Sequence, residues 1–162
     1  MNILVTGGSG YKGSVLIPEL LKDGHNIVNI DTNWFGDNLV DHPSLKKIKT
    51  DIRDVDSIPL EGIDSIIHLA NIANDPAVEL SPNLSWEVNV LASYQLADKA
   101  LRSGVKQIIY ASSGSVYGIK EEERVTEDLP LVPISVYNKT KMVAERVFLS
   151  FGDKIDIKCV RP

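Results

Sequence analysis

An apolar strand that runs straight into a glycine-rich turn and then a helix leaves this chain few folds to choose from. Met1-Asn2-Ile3-Leu4-Val5-Thr6 reads as the strand, and Gly7, Gly10 and Gly13 punctuate the turn as G-x-x-G-x-x-G. A helical stretch over Tyr11–Lys22 follows, ending by Asp23-Gly24, with Pro18 inside it to bend its course. Gly7 suits the sharp turn, Gly10 lets a pyrophosphate approach the backbone, and Gly13 lets helix and strand pack closely. Phosphates would then rest on the free N–H groups of the helix N-terminus. The same turn can also be a tight strand-to-helix connection that binds nothing, so a nucleotide reading needs support downstream. A P-loop is excluded, because Ser14 follows Gly13 where that motif requires Lys before Ser or Thr.

Short apolar runs and helical patterns alternate along the rest of the chain. Strands are predicted at Asn2–Thr6, Asn26–Asp31, Leu45–Thr50, Ser65–Leu69, Gln107–Ser112 and Ile155–Val160. Besides Tyr11–Lys22, helices are predicted at Asn83–Ser103 and Ser135–Phe151, with a short one near Asp54–Ile58. Ser81-Pro82 reads as a helix start, with Ser81 as the cap and proline at the first helical position. Runs without polar alternation, such as Ile66-Ile67-His68-Leu69, suit strands covered on both faces. The expected fold class is α/β: a doubly wound, Rossmann-type parallel sheet in three α/β/α layers.

At 162 residues the chain has the length of one domain. Its net charge of -5, without a Lys/Arg stripe, argues against nucleic acid or an anionic membrane as the main partner. No apolar run approaches the ~18 residues that span a bilayer. The chain opens directly on a structural strand, and its single cysteine, Cys159, has no internal partner. A cytoplasmic protein is expected. The three histidines (His25, His42 and His68) show no ligand spacing with Cys159, so no metal site is expected.

Asp31 ends the second strand about twenty residues after the glycine turn, where an acid can accept hydrogen bonds from a ribose 2′-hydroxyl. It would repel a 2′-phosphate, and Thr32-Asn33-Trp34 brings no Arg or Lys, so NAD is expected over NADP. Asp51, after the third strand, is placed either to reach an adenine amino group or to cap the turn that follows. Tyr137 and Lys141 stand four residues apart on one helix face. A nearby ammonium stabilises a phenolate, so this pair is expected to lower the tyrosine pKa and make it a base. Upstream, Ser112, Ser113 and Ser115 put hydroxyls at the carboxyl end of the fifth strand, where open α/β sheets build their sites.

Together these motifs resemble the extended short-chain dehydrogenase/reductase family, in particular its NAD-dependent nucleotide-sugar epimerases and dehydratases. The resemblance runs without a gap from Met1 to Pro162. It implies that Gly7, Gly10, Tyr11, Lys12 and Gly13 form the cofactor turn, and that Asp51 and Ile52 contact adenine in the D-x-R-D-like Asp51-Ile52-Arg53-Asp54. His68-Leu69-Ala70 resembles the H-x-A segment beside the cofactor, which adds Leu69 and Ala70. The resemblance also implies that Asn89 supports an active-site water and the lysine, and that Ser113 holds the substrate hydroxyl. Tyr137 would be the base and Lys141 its partner, while Arg161-Pro162 resembles the start of the R-P-x-N segment.

The implied activity is that of a UDP-glucose 4-epimerase-like enzyme, with a nucleotide sugar as substrate. Family dehydratases carry an Asp-Glu pair after the Ser/Thr, where this chain has Gly114-Ser115. The other readings are a reductase or dehydratase of the same family, or a non-catalytic NAD-binding protein, which has no need of Ser113, Tyr137 and Lys141 together. The resemblance implies a homodimer through helices 83–103 and 135–151, which carry apolar positions Val88, Leu91, Leu96 and Ala100 on one, and Ala144, Val147, Phe148 and Phe151 on the other. The same positions would also serve to cover the sheet. Family members continue past Pro162. Residues 1–162 are therefore expected to be the NAD-binding domain of a truncated chain whose substrate-binding part is absent.

Overall fold

Successive side chains of the first strand point to opposite sides, and each side meets its own helices. The computed structural model describes all residues, Met1–Pro162. Leu4 joins one apolar cluster while Ile3 and Val5 join another, as period-two alternation requires. The larger cluster packs Ile66, Ile108 and Tyr110 of the sheet against Leu96, Ala100, Ala144 and Phe148. The smaller one sets Ile3, Val5 and Ile27 against Ile17 of the first helix. The result is a helix layer on each face of a central sheet.

Six strands build that sheet: β1 (Asn2–Thr6), β2 (Asn26–Asp31), β3 (Leu45–Lys49), β4 (Ser65–His68), β5 (Gln107–Ala111) and β6 (Asp156–Val160). All pair parallel, in the order β3-β2-β1-β4-β5-β6. The expected Rossmann-type α/β class is therefore the observed one. Thr6 lies opposite both Ile30 and His68, His68 opposite Tyr110, and Ala111 opposite Val160. The carboxyl ends of the strands thus share one edge, and the strand order reverses between β1 and β4. Such a reversal opens a crevice at the carboxyl edge.

The helices are α1 (Gly13–Lys22), α2 (Asp75–Leu80), α3 (Pro82–Trp86), α4 (Ala92–Arg102) and α5 (Val136–Leu149). Helix α1 starts two residues later than predicted, because Gly7–Lys12 remains in the turn. Helix α2 falls where no element was predicted: the Asn74 side chain accepts the Ala77 N–H and starts a helix. The helix predicted over 83–103 is interrupted by a π-helical turn at Glu87–Leu91, which separates α3 from α4. Ser81 precedes α3 as expected, but its side chain makes no capping bond. Its carbonyl accepts instead from the Ser85 N–H and hydroxyl.

Of the apolar positions considered for a dimer face, Val88, Leu96, Ala100, Ala144 and Phe148 are buried in the core. They cover the sheet. Leu91 is about half exposed at 52%. No helix is long and apolar enough to cross a membrane.

Candidate functional site

The glycine turn is held open from behind. Gly7 has φ +73°, and a Cβ there would sit 2.6 Å from the Ala70 nitrogen, so only glycine fits against the end of β4. Its N–H donates to the Ile30 carbonyl at 2.7 Å, tying the turn to β2. Gly13 abuts the Gly8 backbone, whereas Gly10 faces open space apart from the Gly7 carbonyl. The N–H groups of Tyr11, Lys12 and Gly13 donate to nothing within the chain.

Asp31 stands directly beside this turn. Its Oδ2 accepts the Ser9 N–H at 3.0 Å and its Oδ1 the Asn33 N–H at 2.8 Å. Each oxygen keeps a further lone pair free. Ser9 and Asn29 support it from below, with the Asn29 amide donating to the Ser9 hydroxyl at 3.1 Å. Sequence reasoning missed both residues, since neither polar side chain stands out until the turn folds over β2.

A cavity of about 570 Å³ runs from this turn along the carboxyl edge of the sheet. Gly7, Gly10, Tyr11, Lys12, Asp31, Asp51, Ile52, Leu69, Ala70, Tyr137 and Lys141 all line it. Gly13 lies behind the wall, where it packs helix against turn. Asp51 is gripped by Arg53, whose Nη2 donates to Oδ2 at 2.8 Å and whose Nε donates to Oδ1 at 3.1 Å. The guanidinium holds its carboxyl below the usual carboxylate range despite some burial. Trp34 and Phe35, also unanticipated, line the Asp31 end and are exposed. Their signal in the sequence is two adjacent aromatics in a polar loop directly after Asp31.

At the other end, burial pushes the Tyr137 phenol up, the neighbouring Ser113 hydroxyl pulls it down, and Asp75 pushes it up further. The net direction is upward, which corrects the expected lowering by Lys141. Lys141 is buried at 3% exposure, and its Nζ sits 4.4 Å over the Tyr110 ring. Desolvation, then the charge of Lys12, pushes Lys141 down to about 7. Burial destabilises its ammonium. The Ser113 hydroxyl stands 2.7 Å from that of Ser115 and accepts the Ser115 N–H at 3.2 Å. The Ser113 side chain thereby caps the short 3₁₀ turn Gly114–Tyr117.

Asn89 is bonded at both ends of its side-chain amide. Its Oδ1 accepts the Ile72 N–H at 2.7 Å, and its Nδ2 donates to the Ile72 carbonyl and the Thr140 hydroxyl, each at 3.1 Å. Both ends of the amide are occupied, and no bond reaches Lys141. Instead, Asn89 clamps the segment after β4 to α5, because the π-helical turn directs it inward.

His68 completes a chain of hydrogen bonds under the cavity. The Ser93 hydroxyl donates to the Asn89 carbonyl at 2.8 Å, so it must accept from His68 Nε2–H at 3.0 Å. His68 Nδ1 then accepts from the Thr6 hydroxyl at 2.7 Å, and Thr6 Oγ1 accepts the Ala70 N–H at 3.3 Å. Burial, with a smaller contribution from Lys141, pushes His68 down to about 3. The ordinary histidine value is about 6.5. Between these values the unfolded chain binds a proton that the folded protein does not. Stability from this group is therefore full above about pH 6.5 and falls by about 1.4 kcal/mol per pH unit below it, down to about pH 3. In the folded protein the His68 imidazole resonances are expected to stay fixed from about pH 7 to about pH 4.5. A titration of His68 in that range would refute the assignment.

No group of three or more His, Cys, Asp or Glu side chains is arranged to hold a metal ion.

Comparison with known proteins places this geometry. The sequence profile of the NAD-dependent epimerase/dehydratase family matches residues 3–162. The UDP-glucose 4-epimerase of Lactobacillus helveticus is 32% identical over 160 residues, which cover 96% of this chain and 48% of that protein. A UDP-N-acetylglucosamine 4-epimerase from Methanobrevibacter ruminantium superposes with a TM-score of 0.91 at 30% identity, over 99% of this chain and 54% of that one. The dTDP-glucose 4,6-dehydratase of Streptomyces venezuelae, solved with NAD bound, gives 0.92 at 28% identity, over 99% and 55%. The chain spans about half the length of the relatives it matches. With the fold, the glycine turn and the profile in agreement over nearly every residue, the chain belongs to the NAD-dependent epimerase/dehydratase family.

Proposed function

We infer that residues 1–162 are the NAD-binding part of a nucleotide-sugar epimerase of the UDP-glucose 4-epimerase kind. One observation carries this reading: a single cavity joins the glycine turn and Asp31 at one end to Tyr137 and Lys141 at the other. A dinucleotide suits what lies between. The unpartnered amides of Tyr11, Lys12 and Gly13 would hold the pyrophosphate, with Gly10 leaving room for it. Asp31 would take the ribose hydroxyls, Asp51 and Ile52 would meet adenine, and Leu69 and Ala70 would line the path to the reacting end. When bound, NAD supplies the acceptor for a hydride from the sugar carbon and gives it back.

The chain's own part is proton handling. Ser113 holds the sugar hydroxyl, Tyr137 takes its proton, and Lys141 is the cationic partner of the tyrosine. Asn89 acts at one remove, by fixing Ile72 and Thr140 around them. Elimination needs an acid and a base. No carboxylate follows Ser113 here: the Gly114 N–H is tied to the Pro162 carbonyl and the Ser115 hydroxyl turns back onto Ser113. This favours epimerisation over dehydration.

The exposed Leu91 and Tyr94 support a homodimer through the segments 83–103 and 135–151. The lone, half-buried Cys159 supports a cytoplasmic setting.

Calorimetric titration of the chain with NAD and NADP tests the cofactor reading. NAD is expected to bind at least about tenfold more tightly, because a 2′-phosphate would face the Asp31 carboxylate. Asp31→Ala should narrow that gap. Tighter binding of NADP, or binding of neither, would overturn it.

A further inference from the structure

Arg161 closes β6 and reaches three separate parts of the chain. Its Nε donates to Glu145 Oε2 at 3.0 Å and its Nη2 to Glu145 Oε1, so the planar guanidinium holds both carboxylate oxygens. Its Nη1 donates to the Tyr117 phenol oxygen at 2.6 Å and, at 3.4 Å, to the Glu127 carbonyl. The guanidinium carbon also lies 5.0 Å from the centre of the Tyr117 ring. Glu145 is fully buried, so its charge depends on this partner. Burial raises the carboxyl, yet Arg161, with smaller contributions from Ser112 and Arg146, more than offsets it and holds the group below its ordinary value.

The positions of the partners give the network its meaning. Glu145 follows Lys141 by four residues and Tyr137 by eight, which places all three along one side of α5. Tyr117 ends the 3₁₀ turn that Ser113 begins. The backbone on either side of Ser113 is fastened to the same strand end, with the Ser112 N–H on the Val160 carbonyl at 2.8 Å and the Gly114 N–H on the Pro162 carbonyl at 2.9 Å. Arg161 is the one side chain that hydrogen-bonds both the Gly114–Tyr117 turn and α5.

We propose that Arg161, held by Glu145 and Tyr117, is a positioning residue that fixes the Ser113 turn against the Tyr137–Lys141 side of α5. The proposal rests on the reading of Ser113 and Tyr137 as the chemical pair. A lysine cannot replace the arginine, because a point charge cannot hold both Glu145 oxygens and the Tyr117 phenol at once.

The test follows the Tyr137 phenol in protein carrying ¹³Cζ-labelled tyrosine, with its resonance among the five tyrosines identified by its loss in Tyr137→Phe. Ser113 pulls that phenol down. When the turn is loosened by Tyr117→Phe or Arg161→Lys, the Tyr137 titration is expected to move to higher pH. In the intact enzyme, kcat at neutral pH should fall by roughly tenfold to a hundredfold, with KM and NAD affinity nearly unchanged. Tyr117→Phe removes one oxygen and keeps the ring, so it guards against an Arg161 variant that does not fold. A purely structural network would lower the melting temperature and leave both the titration and kcat at the parent values, and that result would overturn the proposal. The titration needs neither cofactor nor sugar. It therefore reports on the network independently of whether Tyr137→Phe abolishes turnover.

Discussion

In the intact enzyme, Tyr137→Phe is expected to lower turnover of a nucleotide sugar by roughly 10²- to 10⁴-fold, the range general acid–base groups supply. NAD affinity should change by no more than a few-fold. The substitution keeps the ring that lines the cavity and deletes only the phenol oxygen. The surroundings sharpen the expectation. Burial raises the phenol, and Ser113 is the neighbour that opposes burial. Ser113→Ala should therefore also slow turnover and displace the ascending, acidic limb of the pH–rate profile, which the base sets, to higher pH. Steady-state kinetics with calorimetry on the same preparations separates the two properties. Turnover within a few-fold of the parent in Tyr137→Phe would remove this residue as the base, while unchanged NAD binding would leave the cofactor reading intact.

The division between what was legible in the sequence and what was not follows physical range. Central strands such as β4 announce themselves through apolar runs buried on both faces, while the edge strands β3 and β6 mix polar with apolar residues. Every strand from Asn2 to Val160 was found within a residue of its ends. Glycine positions are legible for a similar reason: Gly7 must adopt a positive φ against Ala70, and no other residue can do so. Helix α2 was hidden because its cap, Asn74, carries the same residue type that marks loops. The π-helical turn was hidden because it leaves the apolar rhythm of the helix largely intact while rotating Asn89 inward.

Site residues were legible by type and spacing, but their partners were not. Nothing in Tyr137-x-x-x-Lys141 reveals that the ammonium will lie over the Tyr110 ring, since that ring arrives from β5. Nor does Arg161 reveal Glu145 and Tyr117, which meet only when the end of β6, α5 and the Ser113 turn come together. Electrostatic outcomes depend on such long-range neighbours. This is why the expected direction for Tyr137 reversed although Tyr137 and Lys141 both line the cavity.

The second large effect lies behind the cavity wall. Gly13 opens α1, and its backbone needs no positive φ, so helix propensity alone predicts that Gly13→Ala stabilises by up to about 1 kcal/mol. The structure predicts the opposite sign. A Cβ on Gly13 would lie 2.6 Å from the Gly8 carbonyl carbon, and closer still to the Gly8 Cα and oxygen. These are backbone atoms, so no rotamer change relieves the collision, and helix and turn must separate. A cost of about 3 kcal/mol is expected, at the upper end for overpacking. NAD affinity should fall with it, because the free amides of Tyr11, Lys12 and Gly13 sit on the element that moves. Gly24→Ala serves as the control: its φ of +79° imposes local strain of about 1–2 kcal/mol, but nothing lies within 4 Å of the added methyl. Urea unfolding and NAD calorimetry on the two variants distinguish them. Gly13→Ala must lose both stability and cofactor affinity, whereas Gly24→Ala must lose stability alone. If both lost stability equally and bound NAD as the parent does, the close contact of Gly13 with Gly8 would have no part in shaping the cofactor turn.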